Sequence, residues 1–196
     1  MRVLVLDNGA PSPGNLVEPL RELGAECVVR PSGSLRLQEI RDMRPRVRRI
    51  LLTPGPGGPE QTGVCQEVVM SLAGEVPILG IGLGMLVIIA AAQGVLVPAR
   101  KARRKAATIR HDAVNLFAGL PSPLNAPRDR TTSLVLDGRK RLPHDLEVSA
   151  WDENGATVGC RIWGLAMEGV QVDTQWFATR EGRDMLFNFL YQSQAW

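Results

Sequence analysis

Aromatic side chains are scarce in this chain of 196 residues: they make up 5% of it and include one tyrosine. The two basic stretches, Arg100–Lys105 and the arginines at 41, 44, 46, 48 and 49, carry no aromatic between them. Base-stacking platforms are therefore missing, and nucleic acid is not an expected partner. Lysine is rarer still, with only Lys101, Lys105 and Lys140 among 23 basic residues. That excess of arginine reads as a compositional bias rather than a function. The cysteines, Cys27, Cys65 and Cys160, form no CxxC pair. Their scatter argues against a disulfide framework or a structural zinc site and points to a reducing cytoplasm. Neither a metal nor a cofactor is expected. Apolar runs are short; the longest, Met85–Ala92, falls far below the length of a bilayer span, so no membrane association is expected. Met1 runs directly into the strand-like Arg2–Leu6, leaving no room for a signal peptide and again indicating the cytoplasm.

What is present is ordinary for a globular protein: 44% hydrophobic residues, 22% charged residues and a net charge of +3. At 21.3 kDa, residues 1–196 are most simply one domain. Strand and helix patterns alternate over the first half. Arg2–Leu6, Glu26–Val29, Val47–Leu52 and Val76–Gly80 read as strands. Asn15–Leu23, Leu35–Met43, Thr62–Leu72 and Gly84–Gln93 read as helices, and Thr53–Pro59 as a loop. This alternation predicts an α/β fold: an open, mostly parallel sheet covered by helices on both faces, of the flavodoxin-like three-layer kind. After Gly94 the helices disappear. Val95–Val97, Ser133–Leu136, Leu146–Ala150, Thr157–Arg161 and Val170–Val172 read as short strands, which predicts an antiparallel extension of the sheet. Pro121–Arg130 reads as a surface loop, and Arg180–Tyr191 as a closing helix.

One further absence carries the most information. Pro77–Gly84 has the frame of a nucleophile elbow, in which small residues flank a Ser or Cys on a tight turn from strand to helix. The central position here is Gly82, which has no side chain and can attack nothing.

The chain resembles the class I glutamine amidotransferases, in particular the glutaminase subunits of anthranilate and aminodeoxychorismate synthases. The likeness runs through Asp7-Asn8, Asn15-Leu16-Val17, Thr53-Pro54-Gly55-Pro56-Gly57 with Pro59-Glu60 and Gly63, and Pro77–Gly84. It continues through Phe117–Pro121, Ser133-Leu134 and Glu168-Gly169-Val170-Gln171. The resemblance implies a thiolate that attacks a glutamine amide, a His that moves the proton and a Glu that orients the His. It puts the Cys at Gly82, the His at Asp173 and the Glu at Gln175, so none of the three remains. Loss of the nucleophile alone can cost roughly a million-fold in turnover, after which a base has nothing to activate. No glutaminase activity is therefore expected.

The same resemblance implies a remnant ligand pocket. Its backbone cradle is Gly55, Gly57, the Leu83 N–H, Ser133 and Leu134, with Thr132 standing where a His is expected. Met85 and Leu86 replace a His-Gln pair, and together with Val172 and Trp176 they suggest a more apolar cavity; alternatively they fill the core. Asp173 is either a new acid–base group or a space-filling replacement paired with an arginine. The Arg100–Lys105 run is either a solvated loop or a docking surface for an acidic partner. His111, His144, Cys65 and Cys160 read as structural. Two functions stay open beside a third, a small-molecule sensor that binds without chemistry. One is a non-catalytic subunit of a chorismate-utilising synthase. The other is a repurposed enzyme of secondary metabolism that holds a small molecule in the elbow pocket and uses Asp173.

Overall fold

The computed structural model describes residues 1–98, 107–131, 134–138 and 140–192. The first half alternates as β1 (Arg2–Asp7), α1 (Gly14–Glu22), β2 (Glu26–Pro31), α2 (Leu37–Asp42), β3 (Arg49–Leu52), α3 (Cys65–Leu72), β4 (Ile78–Ile81) and α4 (Leu83–Ala91). The second half adds β5 (Leu96–Pro98), β6 (Ala107–His111), β7 (Leu124–Ala126), β8 (Leu134–Leu136), β9 (Leu146–Asp152), β10 (Thr157–Ile162), β11 (Met167–Val170) and α5 (Arg180–Tyr191). The main sheet runs β2-β1-β3-β4-β11-β10-β9-β6-β7. Its strands from β2 through β11 pair in parallel, and the remainder is antiparallel. The fold is α/β, as the alternation of elements predicts.

The parallel strands are apolar on both faces because helices cover both. In β1, Val3 and Val5 point to a core shared with Leu16 and Leu20 of α1 and Phe189 and Leu190 of α5. Leu4 and Leu6, one position out of phase, point to a second core with Val68 and Leu72 of α3 and Leu86 of α4. Helix α4 is buried from Leu83 to Ile89. A helix that is apolar all round needs cover on every side. The sheet, α3 and the small β5–β8 ribbon provide it.

Three expectations change. The strand at Val95–Val97 and its partner at 134–136 do not extend the main sheet; they form that separate antiparallel ribbon over α4. The strand expected at Val170–Val172 spans Met167–Val170, and Val172 makes only an isolated bridge to Arg128. Pro121–Arg130 is not a surface loop. It contains β7, followed by the buried residues Arg128 and Asp129. An arginine followed by an aspartate reads as solvated sequence, and the groups that satisfy Arg128 lie far along the chain: Asp152, which offsets its charge, and Gln171, which accepts a hydrogen bond. The basic run at Arg100–Lys105 lies outside the described residues.

Candidate functional site

The elbow forms where β4 meets α4. Gly82 adopts φ 57° and ψ −112°, a conformation an L side chain holds only under strain. Its N–H donates to Val170 O at 2.9 Å, and its carbonyl accepts the Leu86 N–H at 3.3 Å, opening the helix. The turn is packed against β3: a Cβ on Gly84 would lie 2.4 Å from Leu52 O, so only glycine fits there.

The space in front of Gly82 is occupied. A Cβ at this position would lie 2.5 Å from Asp129 Oδ2, 2.8 Å from Asp129 Cγ and 3.0 Å from Pro54 Cβ. Asp129 is 4% exposed, and its carboxylate accepts hydrogen bonds from the Thr131 N–H at 3.2 Å and the Thr131 hydroxyl at 2.9 Å. Burial pushes this carboxyl above the usual carboxylate range; the Thr131 hydrogen bonds oppose the rise and the nearby Asp173 charge adds to it.

A short antiparallel pairing fixes Asp129 beside the elbow. Asp129 N–H donates to Gln171 O at 3.3 Å, and Asp173 N–H donates to Pro127 O at 2.8 Å. Between them, Arg128 turns inward and donates to Asp152 Oδ2 at 2.6 Å, Thr157 O at 2.9 Å and Gln171 Oε1 at 3.0 Å. Asp173 itself caps the 3-10 turn Thr174–Ala178 by accepting the Gln175 N–H at 2.9 Å. Asn15 Nδ2 donates to Thr174 Oγ1 at 3.2 Å, tying α1 to that turn.

These groups enclose a cleft of about 110 Å³ lined by Ser12, Asn15, Pro54, Asp129, Thr131, Asp173 and Gln175, among others. The cleft combines polar side chains with the rings of Pro11 and Pro54, where the sequence suggested a more apolar lining. Met85, Leu86, Val172 and Trp176 are buried in the two cores and do not line it. Met85 packs on Gly169, and the Trp176 indole N–H donates to Asn125 O at 3.1 Å. Of the glycine loop, Pro54 reaches the cleft and Gly55 and Gly57 do not. Leu83 begins α4 as a buried side chain, and the carbonyl of Leu134 accepts from Gln171 Nε2 at 3.4 Å. Thr132 and Ser133 lie outside the described residues. Asp173 and Gln175 do flank the cleft, Asp173 partly exposed and Gln175 exposed, and Asp173 bonds to backbone rather than to an arginine.

Neither a thiol nor an imidazole lines the cleft before Gly82 among the described residues. Cys65 and Cys160 are buried, and burial pushes both thiols up to about 12, which keeps them protonated and inert. His111 is spent on structure, bonding Pro121 O at 2.9 Å through Nε2 while Nδ1 accepts the Ala113 N–H. His144 is exposed beside Asp145. The residue that sequence reasoning missed is Asp129. A Pro-rich context hid it, and only the inward turn of Arg128 brings it to the elbow.

Residues 4–193 match the family model described as glutamine amidotransferase class-I. The chain is 39% identical over 194 residues to anthranilate synthase component 2 of Thermus thermophilus, covering 97% of this chain and 92% of that protein. It is 33% identical over 191 residues to aminodeoxychorismate synthase component 2 of Escherichia coli, covering 97% and 100%. A glutamine amidotransferase structure from Thermotoga maritima superposes with a TM-score of 0.73 at 15% identity, covering 98% of this chain and 97% of that one, and so shares the fold. The chain belongs to the class I glutamine amidotransferase family.

Proposed function

We propose that this chain is a degenerate amidotransferase subunit without glutaminase activity. It binds and stabilises or regulates a chorismate-utilising synthase of the anthranilate or aminodeoxychorismate type, which draws on free ammonia or another nitrogen source. The observation that carries this reading is Gly82 at the elbow, with the Asp129 carboxyl in the space a nucleophile needs. The similarity to component 2 subunits along nearly the whole chain supports the partner assignment. Three unpaired cysteines suit work in the cytoplasm.

The test is co-purification with such a synthase from the same source, followed by its assay with ammonium. Binding, together with a gain in ammonium-dependent turnover when this chain is added, is the expected result. Failure to bind any such synthase overturns the proposal.

A second reading has one observation in its favour: Asp129 and Asp173 flank the same cleft. In it the chain is a repurposed enzyme, with Asp173 as an acid–base group acting on a small molecule there. Under that reading Asp173→Ala abolishes product formation without unfolding the chain, and unchanged turnover removes Asp173 from the mechanism.

A further inference from the structure

The geometry points to Asp129 as a built-in plug of the nucleophile position, so that Gly82 and Asp129 form one lock in which a side chain at 82 and the carboxyl at 129 exclude each other. This inference rests on the reading that the elbow carries no nucleophile, and it adds that restoring one at Gly82 alone does not reopen the site.

Three observations support it. The first is distance. An Oδ2 atom 2.5 Å from an ideal Cβ at residue 82 is closer than real Cβ atoms approach a neighbour, and a sulfur beyond that Cβ needs still more room. Pro54 Cβ, at 3.0 Å, closes the other side.

The second is that Asp129 has little freedom to swing away. Its carboxylate is held by the N–H and the hydroxyl of Thr131, and its backbone N–H by Gln171 O. The preceding residue, Arg128, is fully buried and makes bonds to Asp152, Thr157 and Gln171. Rotating the carboxylate out of the way therefore breaks its hydrogen bonds to Thr131, and shifting the backbone that carries it requires moving the clamped Arg128.

The third is the link to the position where the family carries its base. The strip 127–129 pairs with 171–173 through an isolated bridge and two flanking backbone hydrogen bonds, so Asp129 and Asp173 are placed by the same short pairing. Asp173 and Gln175 flank the cleft in front of the plug. A thiol restored at 82 would thus meet a carboxyl in its own space and find no imidazole nearby among the described residues.

The experiment is a substitution cycle on the full chain, read by thermal unfolding and by thiol chemistry. Gly82→Ala is made alone and with Asp129→Ala. The left-handed backbone strains any side chain at 82 in both backgrounds, so that part cancels in the comparison. A steric lock makes the fall in Tm caused by Gly82→Ala smaller by about 2–6 °C once Asp129 is gone. Gly82→Cys is then treated with iodoacetamide, and labelling at residue 82 is followed by peptide mass. It should react at least about tenfold faster in the Asp129→Ala background than alone, because access controls alkylation of a thiol. Asp129→Asn keeps the shape and removes the charge; with it, Cys at 82 should stay slow.

Additive Tm changes, or equal labelling in all backgrounds, overturn the plug. Fast labelling with Asp129→Asn also overturns it, since the obstruction would then be charge rather than shape. If the cysteine variants do not fold, the alanine cycle decides. None of these readouts involves glutamine. Ammonia release by the unaltered chain would sink the proposed function and leave the cycle as it stands.

Discussion

Arg128 Nη1 donates to Asp152 Oδ2 at 2.6 Å, with both residues buried. This pair joins the strip after β7 to the end of β9, and it aims the next residue, Asp129, at the elbow. A buried ion pair does not need to stabilise a fold overall, but breaking it strands the remaining charge. Arg128→Met should therefore cost about 3–5 kcal/mol by urea unfolding. A cost below about 1 kcal/mol would show that Asp152 is fully served by the Asn154 and Ala156 N–H groups it also accepts.

Glu168 gives a second prediction, in pH. It lies in β11, is 6% exposed, and accepts the Leu116 N–H at 3.3 Å. Burial pushes its carboxyl up to about 7, with Arg161 and the Leu116 N–H opposing the rise. Between its unfolded value of 4.5 and about 7 the folded state holds a proton that the unfolded chain has released. Its contribution is therefore fully present below 4.5 and is lost as the pH rises towards 7, on the order of 3 kcal/mol in all. Unfolding free energies measured across that window should fall with pH, and Glu168→Gln should remove this component. An unchanged slope in the variant would place the titration elsewhere.

Leu86 tests where the core ends and the cleft begins. It is completely buried in the core between the sheet and α3. Leu86→Ala should cost about 2–5 kcal/mol, the range for a buried leucine. A small cost would mean that the side chain borders open space.

Much of the fold was legible in the sequence, and for physical reasons. The runs at Leu4–Leu6, Ile50–Leu52 and Ile78–Leu79 are continuously apolar because helices cover both faces of the sheet, and the glycine and proline punctuation between them fixed the loops. Helix α5 spans the same residues that its periodicity indicates, Arg180–Tyr191. The elbow could be located because its small residues are dictated by backbone approach. Two features were not legible. Strands β6 and β7 are short and carry charged or polar residues, so no period of 2 stood out. Asp129 depends on a buried arginine whose partners lie 24 and 43 residues away, a pairing that no local pattern encodes.

Asp173 also has a structural duty separable from any chemistry. Its carboxylate caps the turn that begins at Thr174. Asp173→Ala should lower stability by about 0.5–2 kcal/mol, and Asp173→Ser should recover most of that, because a serine hydroxyl can accept the same N–H. Equal losses in both variants would argue against the cap.

The most direct measurement is ammonia release from glutamine by the purified chain, alone and mixed with a synthase partner, alongside intact-mass analysis for a covalent glutamyl adduct. With a glycine at the bend and a carboxyl filling the space before it, neither ammonia above the uncatalysed background nor any adduct is expected. Sustained turnover that a thiol-directed glutamine analogue abolishes, or a glutamyl thioester on any cysteine, would contradict the absence of a working nucleophile.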